Sequence, residues 1–447
     1  MAKQIKPRKS NVDLIKGNHR KINKYLIAFP VIALMVKLIV IFNIQAGGWA
    51  GADGENYLAG VDGLLNQGFF STEEKLTYWP AGYPLLIWPL TAISLTKFLY
   101  MLSIAQSVFF AYATYFLTKS LSTTKLAFLA FTASLLISFN PTLSLGSLAI
   151  GYETPVAACM MMALGVAVKS LARSENNLLR FRSSTFMGFW FGLASFMQPR
   201  FLLVGILFLL LHTFFLYGKK LNIKFIAVGA IAMLVLPALL VFRNSEAVGK
   251  PTISTNLGVT MNLGVGEETL GGYNRIGPAI NCEPKAPGDT VSDNDVVACV
   301  LKWYATNPLK TIKLAFNKSL YYWSPWSGPV AEGTMARNPW LKISPVQNMQ
   351  KSVEGSNLIR GAFGKLVSYA WLVGQVALLA WGFLVLKRRG KFEAQVGLLV
   401  LTPIALAWLI TLGTIGDHRF RIPTMGLSLL LQGVGMLAIR QRLIKVL

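Results

Sequence analysis

Acidic side chains, histidines and cysteines are all scarce in this chain. Its 447 residues hold 19 acids against 43 bases, with three histidines and three cysteines, and 14% of residues are charged, against about a quarter in an average soluble protein. Three cysteines cannot build a disulfide framework, and three histidines supply no dense metal-ligand cluster. The sequence also lacks a P-loop, a glycine-rich nucleotide-binding turn after a strand and a nucleophile elbow. What is abundant is apolar: 53% of residues are hydrophobic and the mean hydropathy is +0.50. This is the composition of an integral membrane protein. A net charge of +24 could serve nucleic acid, but the bases fall in short clusters between apolar runs of roughly 16 to 21 residues, the length a bilayer requires. The expected partner is therefore the lipid bilayer and not nucleic acid.

Apolar windows predict an all-α polytopic protein with about ten transmembrane helices, at 25–45, 98–117, 126–143, 154–171, 184–198, 201–217, 225–242, 366–386, 394–412 and 423–439. The fifth and sixth meet at Gln198-Pro199-Arg200 and could form one broken pair. Bases in short loops remain cytoplasmic. With the N-terminus inside, the clusters at 3–24, Lys119/Lys125, Arg173/Arg180/Arg182, Lys219/Lys220/Lys224, Lys387–Lys391 and Arg440/Arg442/Lys445 all fall inside. Most acids then lie in two outer loops, about 46–97 and 243–365. The expected division is a basic cytoplasmic tail (1–24), a transmembrane region (25–242) with a first outer loop (46–97), a large extracytoplasmic loop (243–365) and a C-terminal transmembrane region (366–447). The protein is expected in the plasma (inner) membrane with both termini cytoplasmic. The first apolar run is longer than a signal-peptide core, so it is expected to be retained despite Ala50-Gly51-Ala52. Lys37, in its middle, must pair, snorkel or face the bundle interior. Cys159 suits packing, whereas Cys282 and Cys299 share the second outer loop and could pair if it faces an oxidising compartment.

The first outer loop, GADGENYLAGVDGLLNQGFFSTEEKLTYWPAGYP, carries three carboxylates in ten residues: Asp53, Glu55 and Asp62. Tyr57, Leu58, Val61, Leu64 and Leu65 have the spacing of an amphipathic interfacial helix. Asp53 stands where its N-cap belongs, so capping alone would explain it. The Trp79-to-Pro84 cluster suits a membrane-interface anchor.

These residues also carry a family resemblance. Asp53 with Tyr57, Leu64-Leu65, Gly68-Phe69-Phe70 and Trp79-Pro80-Ala81-Gly82-Tyr83-Pro84-Leu85 resembles the first periplasmic loop of GT-C glycosyltransferases of the protein O-mannosyltransferase and aminoarabinose transferase branch. In the same order follow Asn140-Pro141 with Glu153, Gly192-Leu193-Ala194 with Pro199, Arg243-Asn244 with Gly249 and the run from Ser254 to Leu263. Asn307-Pro308 with Lys318 and Trp323, then Arg419-Phe420-Arg421-Ile422-Pro423, complete the series. One departure stands out: Gln198 holds the place of the family's arginine before the hinge proline, and Arg200 follows it, so whether Arg200 takes over that role stays open. The resemblance implies a GT-C-like bundle with amphipathic helices in the first outer loop and a large outer loop before the eighth span. It also implies a polyprenyl-phosphate sugar donor, a glycan, lipid or protein acceptor, and Asp53 at the reaction centre.

Sugar transfer from a lipid phosphate requires a base for the acceptor and cationic groups for the departing phosphate. Asp53 is the leading base, with Glu55, Asp62 and Glu153 as reserves. Arg421, Arg419, Arg243, Lys318 and Arg200 are the candidates for the phosphate, because arginine's planar fork matches phosphate oxygens. The bland alternatives are an interface anchor for Arg419 and Arg421 and a solvated loop charge for Lys318. Tyr57, Tyr83 and His418 are expected to line the substrate pocket. No cofactor is demanded, although the oxygen ligands at Asp53 and Glu55 suit Mg²⁺ or Mn²⁺. Two other functions compete: a transporter or flippase of a lipid-linked glycan, and a noncatalytic assembly protein of the same fold. A transporter would favour internal repeats and a midplane site, and neither is evident.

Overall fold

The computed structural model describes residues 11–43, 53–172, 177–218, 221–266, 269–272, 280–282, 292–324 and 361–446. All its regular elements are helices: α1 (Asn11–Asn43), α2 (Gly54–Gln67), α3 (Lys75–Tyr78), α4 (Gly82–Ile93), α5 (Phe98–Ser122), α6 (Ala127–Phe139), α7 (Pro141–Leu145), α8 (Glu153–Ala172), α9 (Asn177–Met197), α10 (Phe201–Tyr217), α11 (Ile223–Val248), α12 (Leu257–Asn262), α13 (Asp293–Thr306), α14 (Pro308–Trp323), α15 (Ala362–Arg389), α16 (Lys391–Gly413) and α17 (Ile422–Val446). Short 3₁₀ turns at Gly146–Leu148 and His418–Arg421 join α7 to α8 and α16 to α17.

Among the described residues, seven helical segments are long and apolar enough to cross a membrane, and eight if the bent pair α6–α7 forms one span. The expected ten is not confirmed. The run at 126–143 bends by 56° where Asn140 caps α7 through the Leu143 amide and Pro141 takes the first helical position. The segments at 201–217 and 82–93 are apolar but short. Helix α9 begins at Asn177, and Arg180 and Arg182 lie in its first turns.

Burial separates centre from periphery. In α8 and the span that includes α17, 78% of the apolar window is buried, against 28% in α1 and α11. The inner helices are thus covered on all sides, and the outer ones face lipid. Lys37, on the peripheral α1, points inward. Its Nζ lies 3.3 Å from Ser147 Oγ and 4.7 Å from the centre of the Phe110 ring, so the charge is taken up inside the bundle.

Side-chain contacts bring the α8 N-terminus, the α9–α10 turn and the α16–α17 connection together at one end of the bundle. The first loop is fastened to that end by Arg243, near the last turns of α11. Its Nε donates to the Phe69 carbonyl at 3.1 Å, Nη1 to the Leu76 carbonyl at 3.3 Å and to Asn244 Oδ1 at 2.5 Å, and Nη2 to the Ser71 carbonyl. Gly82 is pressed so closely on the end of α9 that a Cβ there would fall on the Phe196 carbonyl oxygen. The Trp79-to-Pro84 cluster, expected as an interface anchor, instead packs α4 into the bundle. Beyond α12, Cys282 and Cys299 are joined by a disulfide that ties α13 to the preceding loop.

Candidate functional site

Asp53 occupies the N-cap position of α2, but its side chain makes no cap hydrogen bond. The carboxylate instead meets Arg419, with Oδ2 2.7 Å from Nη2. Glu153, the first residue of α8, approaches the same guanidinium from another side, its Oε1 3.9 Å from Arg419 Nε. All three side chains are between 12% and 17% exposed, so the cluster is sunk in the bundle end yet reachable. Two carboxylates around one arginine leave the trio with net charge −1 when all are ionised.

A second guanidinium sits beside it. Arg200 Nη2 donates to the Tyr152 hydroxyl at 2.5 Å, and Gln198 Nε2 donates to the same oxygen at 3.0 Å. The Phe420 ring lies under both cations, 4.2 Å from Arg200 Cζ and 5.2 Å from Arg419 Cζ, an arrangement favoured by the ring's negative face. Arg421, one residue on, is anchored: Nη1 donates to Gln375 Oε1 at 2.7 Å and to the Trp323 carbonyl at 2.9 Å. Gln198 and Arg200 thus converge on one oxygen from either side of Pro199.

The guanidinium donors are incompletely used. Arg200 Nε, Arg419 Nε, Arg419 Nη1 and Arg421 Nε are buried without a hydrogen-bond partner among the described residues. A buried cationic N–H left unpaired is costly; two of these arginines, Arg200 and Arg419, share the Phe420 ring, and Arg421 follows it in sequence.

Tyrosines line the floor. The Tyr57 ring packs edge-on against Tyr83 at 4.9 Å, and the Tyr83 hydroxyl donates to Gln106 Oε1 at 3.0 Å and accepts from the Gly151 amide at 2.9 Å. Burial, then the neighbouring Asp53, Tyr152 and Glu153 charges, raise the Tyr57 hydroxyl well above its ordinary value, with Arg419 opposing. Burial likewise raises Tyr152, against the pull of Arg200. Both hydroxyls are therefore protonated at neutral pH.

The structure brings Asp53, Glu153, Arg419 and Arg200 together, with Arg421 next in sequence. It places other candidates elsewhere. Glu55 and Asp62 are exposed on α2. Tyr57 and Tyr83, 3% and 1% exposed, support the site from beneath and do not line an open pocket. His418 Nδ1 faces Asp417 Oδ1 at 3.1 Å. Arg243 is consumed by loop carbonyls. Lys318, neither solvated nor turned to an anion, is fully buried, and its Nζ donates to the Tyr304 hydroxyl at 2.9 Å and the Leu412 carbonyl at 3.0 Å. Tyr152 and the Phe420 ring were missed as contributors; a phenol directly before Glu153 was the available signal. Among the described residues no group of three or more His, Cys, Asp or Glu side chains is placed to hold a metal ion. The Asp53 carboxylate faces an arginine and Glu55 points away, so these side chains do not fit the Mg²⁺ or Mn²⁺ considered from sequence.

No protein-family model matches the chain, and no curated protein matches its sequence. Among solved structures it is similar to the apo oligosaccharyltransferase of Archaeoglobus fulgidus, at 14% identity and a TM-score of 0.49 over 94% of this chain and 51% of that one. It is similar also to the A. fulgidus oligosaccharyltransferase AglB in complex with an inhibitory peptide and a dolichol-phosphate, at 12% identity and 0.48 over 94% and 51%. A third is the A. fulgidus enzyme tethered by a disulfide to an acceptor peptide containing the NVT sequon, at 13% identity and 0.48 over 94% and 50%. The chain thus spans about half the length of each. At these values the likenesses carry no weight for the chemistry of the site.

Proposed function

We propose that this protein is a GT-C-type glycosyltransferase that moves a sugar from a polyprenyl-phosphate donor to a hydroxyl or amide acceptor at the outer face of the plasma membrane. The observation that carries the reading is the buried carboxylate–guanidinium cluster at one end of the bundle, with Asp53 on Arg419 and unpaired donors on Arg200, Arg419 and Arg421. The ordered sequence resemblance, which includes Asp53, Glu153, Pro199 and Arg419-Phe420-Arg421, supports it. The disulfide between Cys282 and Cys299 accords with an oxidising outer compartment. The basic joints between the spans accord with cytoplasmic termini.

In this scheme the lipid phosphate enters among the three guanidiniums and satisfies their free N–H groups. It competes for Arg419 and thereby releases the Asp53 carboxylate. The acceptor atom then bonds to the anomeric carbon as the bond from that carbon to the phosphate oxygen breaks. The acceptor's proton passes to Asp53, and the electron pair stays on the departing phosphate, where the arginines hold the charge. Glu153 fixes the far side of Arg419.

The test is sugar transfer by the purified full chain from a polyprenyl-phosphate donor, comparing wild type with Asp53→Asn. Transfer by the wild type and a loss of at least ~100-fold in the folded variant are expected, the range of a lost general base. Donor flipping in vesicles without transfer by the wild type overturns the reading, and transfer by Asp53→Asn near the wild-type rate overturns the base.

A further inference from the structure

At the end of the bundle opposite Asp53, helices α15 and α17 part to leave a cavity of ≈ 260 Å³. Its origin is visible in two glycines. A Cβ at Gly382 would fall on the Leu431 carbonyl oxygen, and one at Gly435 would meet the Leu378 carbonyl oxygen at 2.5 Å, so the two backbones touch there, as small residues allow in membrane helices. Beyond this crossing the helices diverge, and the wedge between them fills with side chains of two kinds. Leu384, Val385 and Ala438 make an apolar wall next to Trp381, while Arg388, Arg389 and Gln441 stand at the mouth. Arg388 lies six positions after Gly382, which sets the bases about 9 Å beyond the crossing. Arg389 is fixed, its Cζ 3.9 Å from the centre of the Phe128 ring on α6. Neither Arg388 nor Arg389 forms an ion pair among the described residues. Gln375, which holds Arg421, and Arg388 are thirteen positions apart on α15, so this wedge is ~20 Å from the candidate active site.

We propose that the wedge binds an anionic phospholipid, its phosphate headgroup on Arg388, Arg389 and Gln441 and the start of an acyl chain against Leu384, Val385 and Ala438. Two guanidiniums with no ion pair among the described residues, beside a Trp ring and above an apolar slot between spans, match an amphiphile with a negatively charged head. Basic pockets between transmembrane helices hold such headgroups. A free phosphate would use the arginines but leave the apolar wall uncovered, and a zwitterionic lipid would cover the wall without net charge for the arginines. The site is independent of the donor chemistry proposed above.

The experiment uses the full chain, purified in detergent and stripped of lipid, with thermal unfolding read against added phosphatidylglycerol, phosphatidylcholine or inorganic phosphate. A rise in midpoint with phosphatidylglycerol only is expected. It should be lost in Arg388→Gln/Arg389→Gln and kept in Lys125→Gln/Lys224→Gln, which removes two exposed bases from the same side of the membrane. Ala438→Phe, which fills the slot and leaves both arginines, should also abolish it and secures the test if the double arginine variant does not fold. An equal rise with phosphatidylcholine or inorganic phosphate overturns the proposal, as does a rise that survives Ala438→Phe.

Discussion

Asp53 caps no helix: its carboxylate lies 2.7 Å from Arg419, 366 positions along the chain, while the amides of its own helix go without it. A side chain that forgoes local hydrogen bonds for a buried cation is being used for its charge. Asp53→Ser separates the two roles, because serine is as good a cap but no base near neutral pH. We expect sugar transfer to fall at least ~100-fold with the protein still folded by thermal unfolding. Retained transfer would show that Asp53 is not the base.

Arg419 is the counter-charge for two carboxylates, so its loss leaves Asp53 and Glu153 facing each other in a poorly hydrated site. Arg419→Gln is expected to destabilise the protein by on the order of 3 kcal/mol. Adding Glu153→Gln should recover part of the loss, because one of the unpaired charges is gone. A double variant as unstable as the sum of the two single ones would show that the charges are not coupled.

The fork of Arg243 holds the first loop from inside, and a lysine cannot reach three carbonyls and Asn244 at once. Arg243→Lys is expected to cost about 2 kcal/mol and to speed hydrogen exchange in the described stretch 69–77. The apparent KM for donor should move little, since Arg243 does not face the anion site. A large rise in donor KM with unchanged exchange would place Arg243 at the phosphate after all.

Lys318 gives a signed pH dependence. Burial lowers its ammonium from 10.5 to about 7 in the folded chain, so from pH 7 to 10.5 the unfolded chain binds more protons and stability rises with pH. Its neighbour Tyr304 is shifted the other way, with burial pushing the phenol from 10.0 up to about 12. Above pH 10 the unfolded chain loses that proton first, and stability falls again. The thermal midpoint of the wild type should therefore rise relative to that of Lys318→Met as the pH rises from 7 towards 10. A constant gap would mean that the Lys318 ammonium titrates alike in both states.

Much of the scaffold was legible because apolar length is a strong signal: α1, α5, α8, α11, α15, α16 and α17 lie where long apolar runs required spans. The helix starting after Asp53 followed from Tyr57, Val61 and Leu64 on one face. The count is not confirmed at 126–143, where Asn140-Pro141 supplies both a cap and a helix start inside an apolar run, or at 184–217, where a proline turn separates two helices. Within the site, residue types were legible and partners were not. Nothing local assigns Arg243 to the carbonyls of Phe69, Ser71 and Leu76 or Lys318 to the end of α16, since both bonds depend on how distant segments pack. Arg200 could be named as a candidate, but its convergence with Gln198 on Tyr152 is a property of the folded hinge.

That convergence fixes the direction of one hydrogen. A phenolic oxygen has acceptor capacity for about two bonds and a single hydrogen to give. Gln198 and Arg200 fill the acceptor side of Tyr152, so the only polarity the hydroxyl can still present is positive. The amide and the guanidinium thus turn an ambivalent group into a donor with one direction left to give.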